Sequence, residues 1–256
     1  MRDKTIYYSN YSEDFIHSKN QDYKLPRGYV WIHNNIFYRI FSHIIFRLFG
    51  LIGRLYCYLF FRIQVINREL LDDVDGGFFL YGNHTQPIVD VFSPSIAYRH
   101  RRFFTVVSAS NLGIPILGRL LPIVGALPIP HLLHNFRGFL DAITTRITEG
   151  SCVVIYPEAH VWPYCTFIRE FSETSFRYPV ELRVPSYTMT TTYHKNRGRR
   201  RPRIIIYIDG PFYPDTSLPQ HESRRQLRDK IYNTMNNRSK NNNCEYIHYI
   251  YTKRGE

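Results

Sequence analysis

The chain has 256 residues, of which 44% are hydrophobic and 16% aromatic, and it carries 33 Lys and Arg against 21 Asp and Glu, a formal charge of +12. That apolar content excludes a disordered chain and suffices for one large folded domain with a short extension. The charge fits nucleic acid, anionic lipid or phosphorylated substrates as partners, and equally a soluble protein with a basic surface.

Residues 1–30 are polar and tyrosine-rich, and read as an irregular leader without the apolar run and cleavage site of a secretory signal. Residues 31–68 hold the most apolar stretch. Arg39, Arg47, Arg54 and Arg62 interrupt it, so no uncharged run approaches the roughly 20 residues of a spanning helix. At helical spacing those arginines and His43 fall within an arc of roughly 140°, and Phe, Ile, Leu and Tyr fill the rest. This predicts an amphipathic helix, or a helix pair divided at Gly50 and Gly53, lying in a membrane interface with its arginines toward head groups. A helix hairpin packed on the domain is the alternative.

From residue 69 to 237 short apolar runs alternate with helical patterns. Strands are predicted at Phe78–Tyr81, Phe103–Val107, Ile123–Pro130, Cys152–Tyr156, Val184–Tyr193 and Arg203–Ile208. Helices are predicted from Pro87, over 132–149 up to Gly150, and over 219–236. The alternation implies an α/β fold, a largely parallel sheet flanked by helices. Residues 238–256 read as a frayed polar tail. The four cysteines, Cys57, Cys152, Cys165 and Cys244, have no metal-ligand spacing and no disulfide framework, and fit a reducing compartment as inert thiols.

The segment Tyr81-Gly82-Asn83-His84-Thr85-Gln86-Pro87-Ile88-Val89-Asp90 stands where a strand ends and a helix begins. Open α/β sheets place their sites at that end of the strands. Pro87 suits the first helical position, which puts His84 in the turn and Asp90 in the first helical turn or just beyond. A hydroxyl attacking a thioester must lose its proton. A neutral imidazole can take it near pH 7, and a carboxylate can fix the tautomer and stabilise the imidazolium. A helix-capping histidine and a first-turn aspartate would look the same in sequence.

This segment resembles the first signature block of the glycerolipid acyltransferases, the family of 1-acylglycerol-3-phosphate O-acyltransferase. The family pattern is Asn-His-x4-Asp. Here five residues separate His84 from Asp90, a change of phase that a bulge or a later helix start would absorb. Three further blocks follow in the family's order. Gly125-Ala126-Leu127-Pro128-Ile129-Pro130-His131 is similar to Gly-x-x-Phe-Ile-x-Arg, with His131 in place of arginine. Tyr156-Pro157-Glu158-Ala159-His160 is similar to Phe-Pro-Glu-Gly-Thr, and Val161 follows where arginine is usual. The run from Arg169 to Arg177 resembles the stretch after the third block, with Phe171 and Phe176 in place. Val184-Pro185 stands where the fourth block has its Val-Pro.

The resemblance implies transfer of a fatty acyl group from an acyl thioester to the hydroxyl of lysophosphatidate in phospholipid synthesis. His84 would be the general base and Asp90 would orient it. Glu158, Pro157, His131, His160 and Arg177 are the substrate-binding candidates. Arg99, Arg101, Arg102 or Arg137 are further sources of charge, or plain surface residues. The implied partners are membrane lipids, lysophosphatidate, and a thioester of acyl-carrier protein or coenzyme A. No metal and no cofactor beyond the donor are implied, and nucleic acid is not expected. The implied location is the cytoplasmic face of the cell membrane, peripheral or monotopic. Two other readings remain: a noncatalytic basic lipid- or nucleic-acid-binding protein on the same scaffold, or an acyltransferase with a non-phosphate or amine acceptor. The run Lys195–Arg203 reads as a nucleic-acid patch, a basic turn facing anionic lipid, or a solvated turn.

Overall fold

The computed structural model describes residues 4–16, 22–99 and 101–253. Its strands are β1 (Lys4–Tyr8), β2 (Gln64–Ile66), β3 (Phe78–Gly82), β4 (Phe103–Ser108), β5 (Ala126–Ile129), β6 (Cys152–Ile155), β7 (Ser186–His194), β8 (Arg203–Phe212) and β9 (Ile247–Tyr251). Its α-helices are α1 (Ile36–Phe61), α2 (Val89–Ala97), α3 (Leu117–Leu120), α4 (Leu133–Thr148), α5 (Arg177–Leu182) and α6 (Gln220–Ser239).

Seven strands form one sheet in the order β2-β8-β7-β3-β6-β4-β5. β7, β3, β6, β4 and β5 run parallel, while β8 is antiparallel to β7 and carries β2 parallel to itself. The largely parallel α/β sheet expected from the alternation is therefore present. Its central strand β3 is buried throughout, as a parallel strand covered on both faces must be. Because side chains alternate, Phe78 and Leu80 join a core with Phe46, Phe61 and Ile96 from α1 and α2. Phe79 and Tyr81 point the other way, into a core with Phe139 and Ile143 of α4 and Leu227 and Ile231 of α6.

The apolar stretch forms one helix of 26 residues, about 39 Å long. Asn35 starts it, accepting hydrogen bonds from the N–H groups of Phe37 and Tyr38. Gly50 and Gly53 do not divide it. A Cβ at Gly53 would sit 2.0 Å from the Phe92 ring, so this glycine marks where α1 presses on α2. Ser42, Phe46, Gly50, Gly53, Cys57 and Phe61 form the buried stripe, at the three- and four-residue spacing of one helical face. Phe37, Ile44, Leu48, Leu51, Leu55 and Leu59 stay exposed on the opposite side.

Three local expectations change. The helix after the His84 turn begins at Val89 rather than Pro87. Lys4–Tyr8, within the stretch read as irregular, pairs in parallel with Ile247–Tyr251, within the stretch read as frayed. Residues 1–3, 17–21 and 254–256 of those two stretches lie outside the described residues. Neither strand has a core of its own. Both rest on the Trp162 ring, with Tyr8 at 4.8 Å and Tyr249 stacked at 5.1 Å.

Candidate active site

Five strands run parallel, so their C-terminal ends share one edge of the sheet. His84 follows β3 there, Pro157 and Glu158 follow the adjacent β6, and His131 follows β5. β5 lies three strands from β3, which places its end roughly 14 Å away.

The sequence folds the His84 turn back on Asp90. The Asp90 N–H donates to the Gln86 carbonyl at 3.1 Å, closing the turn ahead of the helix. Thr85–Ile88 thereby absorb the fifth intervening residue. Asp90 Oδ2 meets His84 Nδ1 at 2.8 Å and also accepts from the N–H groups of Thr85 and Gln86, each at 2.8 Å. The Asp90 side chain is 1% exposed and that of His84 21%. Burial pushes the Asp90 carboxyl above its usual range, while the His84 contact and the two backbone N–H groups pull it down. An ionised carboxylate can only accept, so the pair places the imidazole proton on Nδ1 and leaves Nε2 with its lone pair. Asp90 Oδ1 is buried without a partner.

Two neighbours, Tyr156 and Glu158, hold the turn and its imidazole further. The Tyr156 ring stacks on it, centroids 4.5 Å apart at 20°. The Tyr156 hydroxyl donates to the Asp90 carbonyl at 2.5 Å, fastening α2 to the end of β6. The His84 N–H donates to Glu158 Oε2 at 2.9 Å.

Glu158 is consequently a brace. Its Oε1 accepts from the Arg169 N–H at 2.9 Å, and its Oε2 from Arg169 Nη2 at 2.9 Å. Both side chains are 1% exposed. Arg169 Nη2 also donates to the His160 carbonyl, and its guanidinium lies 4.8 Å over the Trp162 ring. Ala159, beside them, has φ +64°, a left-handed conformation that glycine would adopt without strain. The family's usual glycine at this position is thus explained by the backbone.

The remaining candidates are dispersed. His131 is exposed beyond β5. His160 is half-buried and faces Asp14, Nδ1 to Oδ2 at 3.7 Å. Pro157 is half-buried between Tyr156 and Glu158. Arg177 pairs with Glu181 at 3.1 Å and lies 5.8 Å over Phe136, on the α4 side of the sheet. Arg101 and Arg102 precede β4, at the sheet edge opposite His84, so they cannot supply charge to it. Among the described residues no cluster of His, Cys, Asp and Glu forms a metal-binding group.

Tyr156, Arg169 and Asn83 stand in the signature blocks, but the sequence assigns none of them a role. Asn83 ties the turn to β7, its side chain donating to the Thr191 carbonyl at 3.0 Å and accepting from the Thr191 N–H at 2.7 Å. The available signal for Arg169 was an arginine between Ile168 and Phe171 in an otherwise apolar stretch, where a buried guanidinium requires an acid partner.

A parallel α/β sheet with a buried carboxylate–imidazole pair at the C-terminal ends of its strands is the architecture of an enzyme site. The model of the Acyltransferase family matches residues 62–192, about half of the chain, and the chain belongs to that family. The solved structure of the 1-acyl-sn-glycerophosphate (LPA) acyltransferase PlsC from Thermotoga maritima has a similar fold, with a TM-score of 0.55 and 14% identity over 76% of this chain and 79% of that one. No curated protein matches the chain by sequence comparison.

Proposed function

We propose that the chain transfers a fatty acyl group from an acyl thioester to the hydroxyl of lysophosphatidate, with His84 Nε2 as general base and Asp90 as its orienting partner. Nε2 takes the hydroxyl proton as the oxygen attacks the thioester carbonyl. The tetrahedral intermediate collapses, the C–S bond breaks, and the imidazolium returns the proton to the leaving thiolate. The ester is formed with no covalent acyl-enzyme. The donor is a thioester of acyl-carrier protein or coenzyme A, and no further cofactor takes part. The observation that carries this reading is the 2.8 Å contact between His84 Nδ1 and an Asp90 oxygen already held by two backbone N–H groups.

The exposed apolar face of α1 supports a seat in the membrane interface. Length and composition alone would let the helix cross a membrane, but its other face is packed on the domain. The Arg199 guanidinium donates to the Leu59 carbonyl at 3.0 Å, which places the basic turn at the end of α1. That position suits a contact with anionic lipid. Ile88 and Val91, around the start of α2, are exposed, and α2 packs on α1 where Phe92 meets Gly53, so on this reading the acceptor lipid reaches His84 from the α1 side.

One observation favours a second acceptor. Arg169 is sealed behind Glu158 and Arg177 is paired with Glu181, which weakens the claim for a phosphate. The deciding experiment is an acyl-transfer assay with a panel of acceptors: glycerol 3-phosphate, lysophosphatidate, and lysolipids without a free phosphate. The fastest transfer is expected to lysophosphatidate. Preference for a phosphate-free lysolipid would replace the acceptor, and transfer to none of them would overturn the function.

A further inference from the structure

At the sheet edge opposite His84, where β4 and β6 begin, a cavity of about 750 Å³ opens beneath the first turns of α1. Its walls carry Arg39, Arg101, Arg102 and Arg146 and a single carboxylate, Glu149. Arg146 holds Glu149 at 2.7 Å. Among the described residues no acid pairs with Arg39, Arg101 or Arg102.

Arg102 is half-buried among them. Its Nη2 donates to Ser42 Oγ at 2.7 Å and to the Ile123 carbonyl at 2.8 Å, while its Nε is buried without a partner. The rings of Phe46 and Phe104 flank it at 5.2 and 5.0 Å. Burial, and next the nearby Arg146, pull its pKa down to about 10. Cations gathered in a partly desolvated recess repel one another, and the one carboxylate Glu149 does not balance four arginines, so an anion bound there relieves both costs. Guanidinium groups match phosphate oxygens in charge and in geometry. The rim supplies the second half of the recognition. Ile36, Ile40 and Ile44 line the cavity and also belong to the exposed apolar face of α1.

We infer that this cavity binds the phosphate of an anionic phospholipid, whose acyl chains run along Ile36, Ile40 and Ile44. The inference rests on the reading of α1 as a membrane-interface helix, and not on the acyl-transfer chemistry. The cavity stands a strand's length, roughly 15 Å, from the His84 edge. A lipid held here is a resident that fixes the protein's seat on an anionic membrane, not a reacting substrate.

The test uses the exposed pair Arg39 and Arg101 in a double Arg39→Ala/Arg101→Ala variant. A control, Arg197→Ala/Arg200→Ala, removes the same charge from the basic turn. Dihexanoyl phosphatidylglycerol below its micelle concentration is expected to raise the melting temperature of the wild-type chain and of the control, but not of the cavity variant. On vesicles of phosphatidylcholine mixed with phosphatidylglycerol, the cavity variant is expected to bind about tenfold more weakly than wild type, and on phosphatidylcholine alone equally well. Equal shifts in wild type and cavity variant would overturn the site. So would no shift in the wild type while it still binds vesicles, a result that leaves the α1 reading standing. A wild-type chain that binds neither vesicle overturns that reading, and this inference with it. Inorganic phosphate shifting the wild type as much as the short-chain lipid would replace the lipid with free phosphate.

Discussion

Around His84 a carboxylate, two backbone N–H groups, a stacked tyrosine and a buried Glu158–Arg169 pair fix the turn and the imidazole ring. Around His131, His160 and Arg177 the side chains are half-buried or exposed, and the contacts they make are with Asp14, Glu181 and Phe136 rather than with one another. The two regions share one edge of the sheet, yet only the first has its geometry over-determined. The departures from the family pattern at His131, Ala159 and His160 fall in or beside the second. On the proposed reading, with His84 as base and the second region as the acceptor side, the chemistry is specified more tightly than the acceptor.

Substitutions can break this contrast, beginning with the base region. Asp90→Asn keeps an acceptor for the backbone N–H groups but disturbs the imidazole tautomer. A kcat loss of roughly 10³–10⁴-fold is expected by analogy with other carboxylate–imidazole pairs, read by steady-state acyl transfer. A loss under tenfold would reduce Asp90 to a turn cap. Glu158→Ala leaves the Arg169 guanidinium buried and unpaired, and should cost about 3–5 kcal/mol of stability. Adding Arg169→Met should recover part of it in a denaturant titration. If Glu158 instead binds the acceptor directly, Glu158→Ala would raise KM and leave stability intact.

Smaller effects sharpen the acceptor side. His131→Ala and Arg177→Ala should each change KM for lysophosphatidate by less than about threefold, since an exposed imidazole and a surface-paired guanidinium contribute little. A tenfold rise in either would bring that residue into the site. Ala159→Gly should raise stability by about 1 kcal/mol by relieving the left-handed backbone, visible as a higher melting temperature. The smallest effect is one of pH. Burial raises the folded pKa of Asp90, so between its unfolded and folded values the folded chain holds the extra proton, and stability falls as pH rises through that window. The melting temperature of Asp90→Asn relative to wild type should therefore climb with pH across it. A relative value that falls with pH would show the His84 contact outweighing burial.

The sheet was legible because its strands are short apolar runs set between helical patterns, and the His84 turn because its letters mark the end of a strand. The partnership with Asp90 was expected from the resemblance and is present at 2.8 Å, but its geometry was not readable. It depends on Thr85–Ile88 folding so that one carboxylate oxygen collects three hydrogen bonds, and a spacing of residues does not encode that closure. The Glu158 brace stayed hidden for a related reason. Its partner Arg169 lies eleven residues on, and only the fold of the intervening loop brings them together. The strands at the two ends escaped notice because Lys4–Tyr8 and Ile247–Tyr251 have no core of their own and form on a surface built by Trp162. On α1 the pattern showed the apolar width, but which part of it the domain covers was set by Phe92 and the close approach at Gly53.

The most direct test of the central claim is the turnover number for acyl transfer to lysophosphatidate in detergent, measured for the wild-type chain and for His84→Ala with the melting temperature of each. A general base at His84 requires a loss of at least the roughly 10²–10⁴-fold typical of such a group, with the fold retained. Turnover within about twofold of wild type in a folded His84→Ala chain would contradict it.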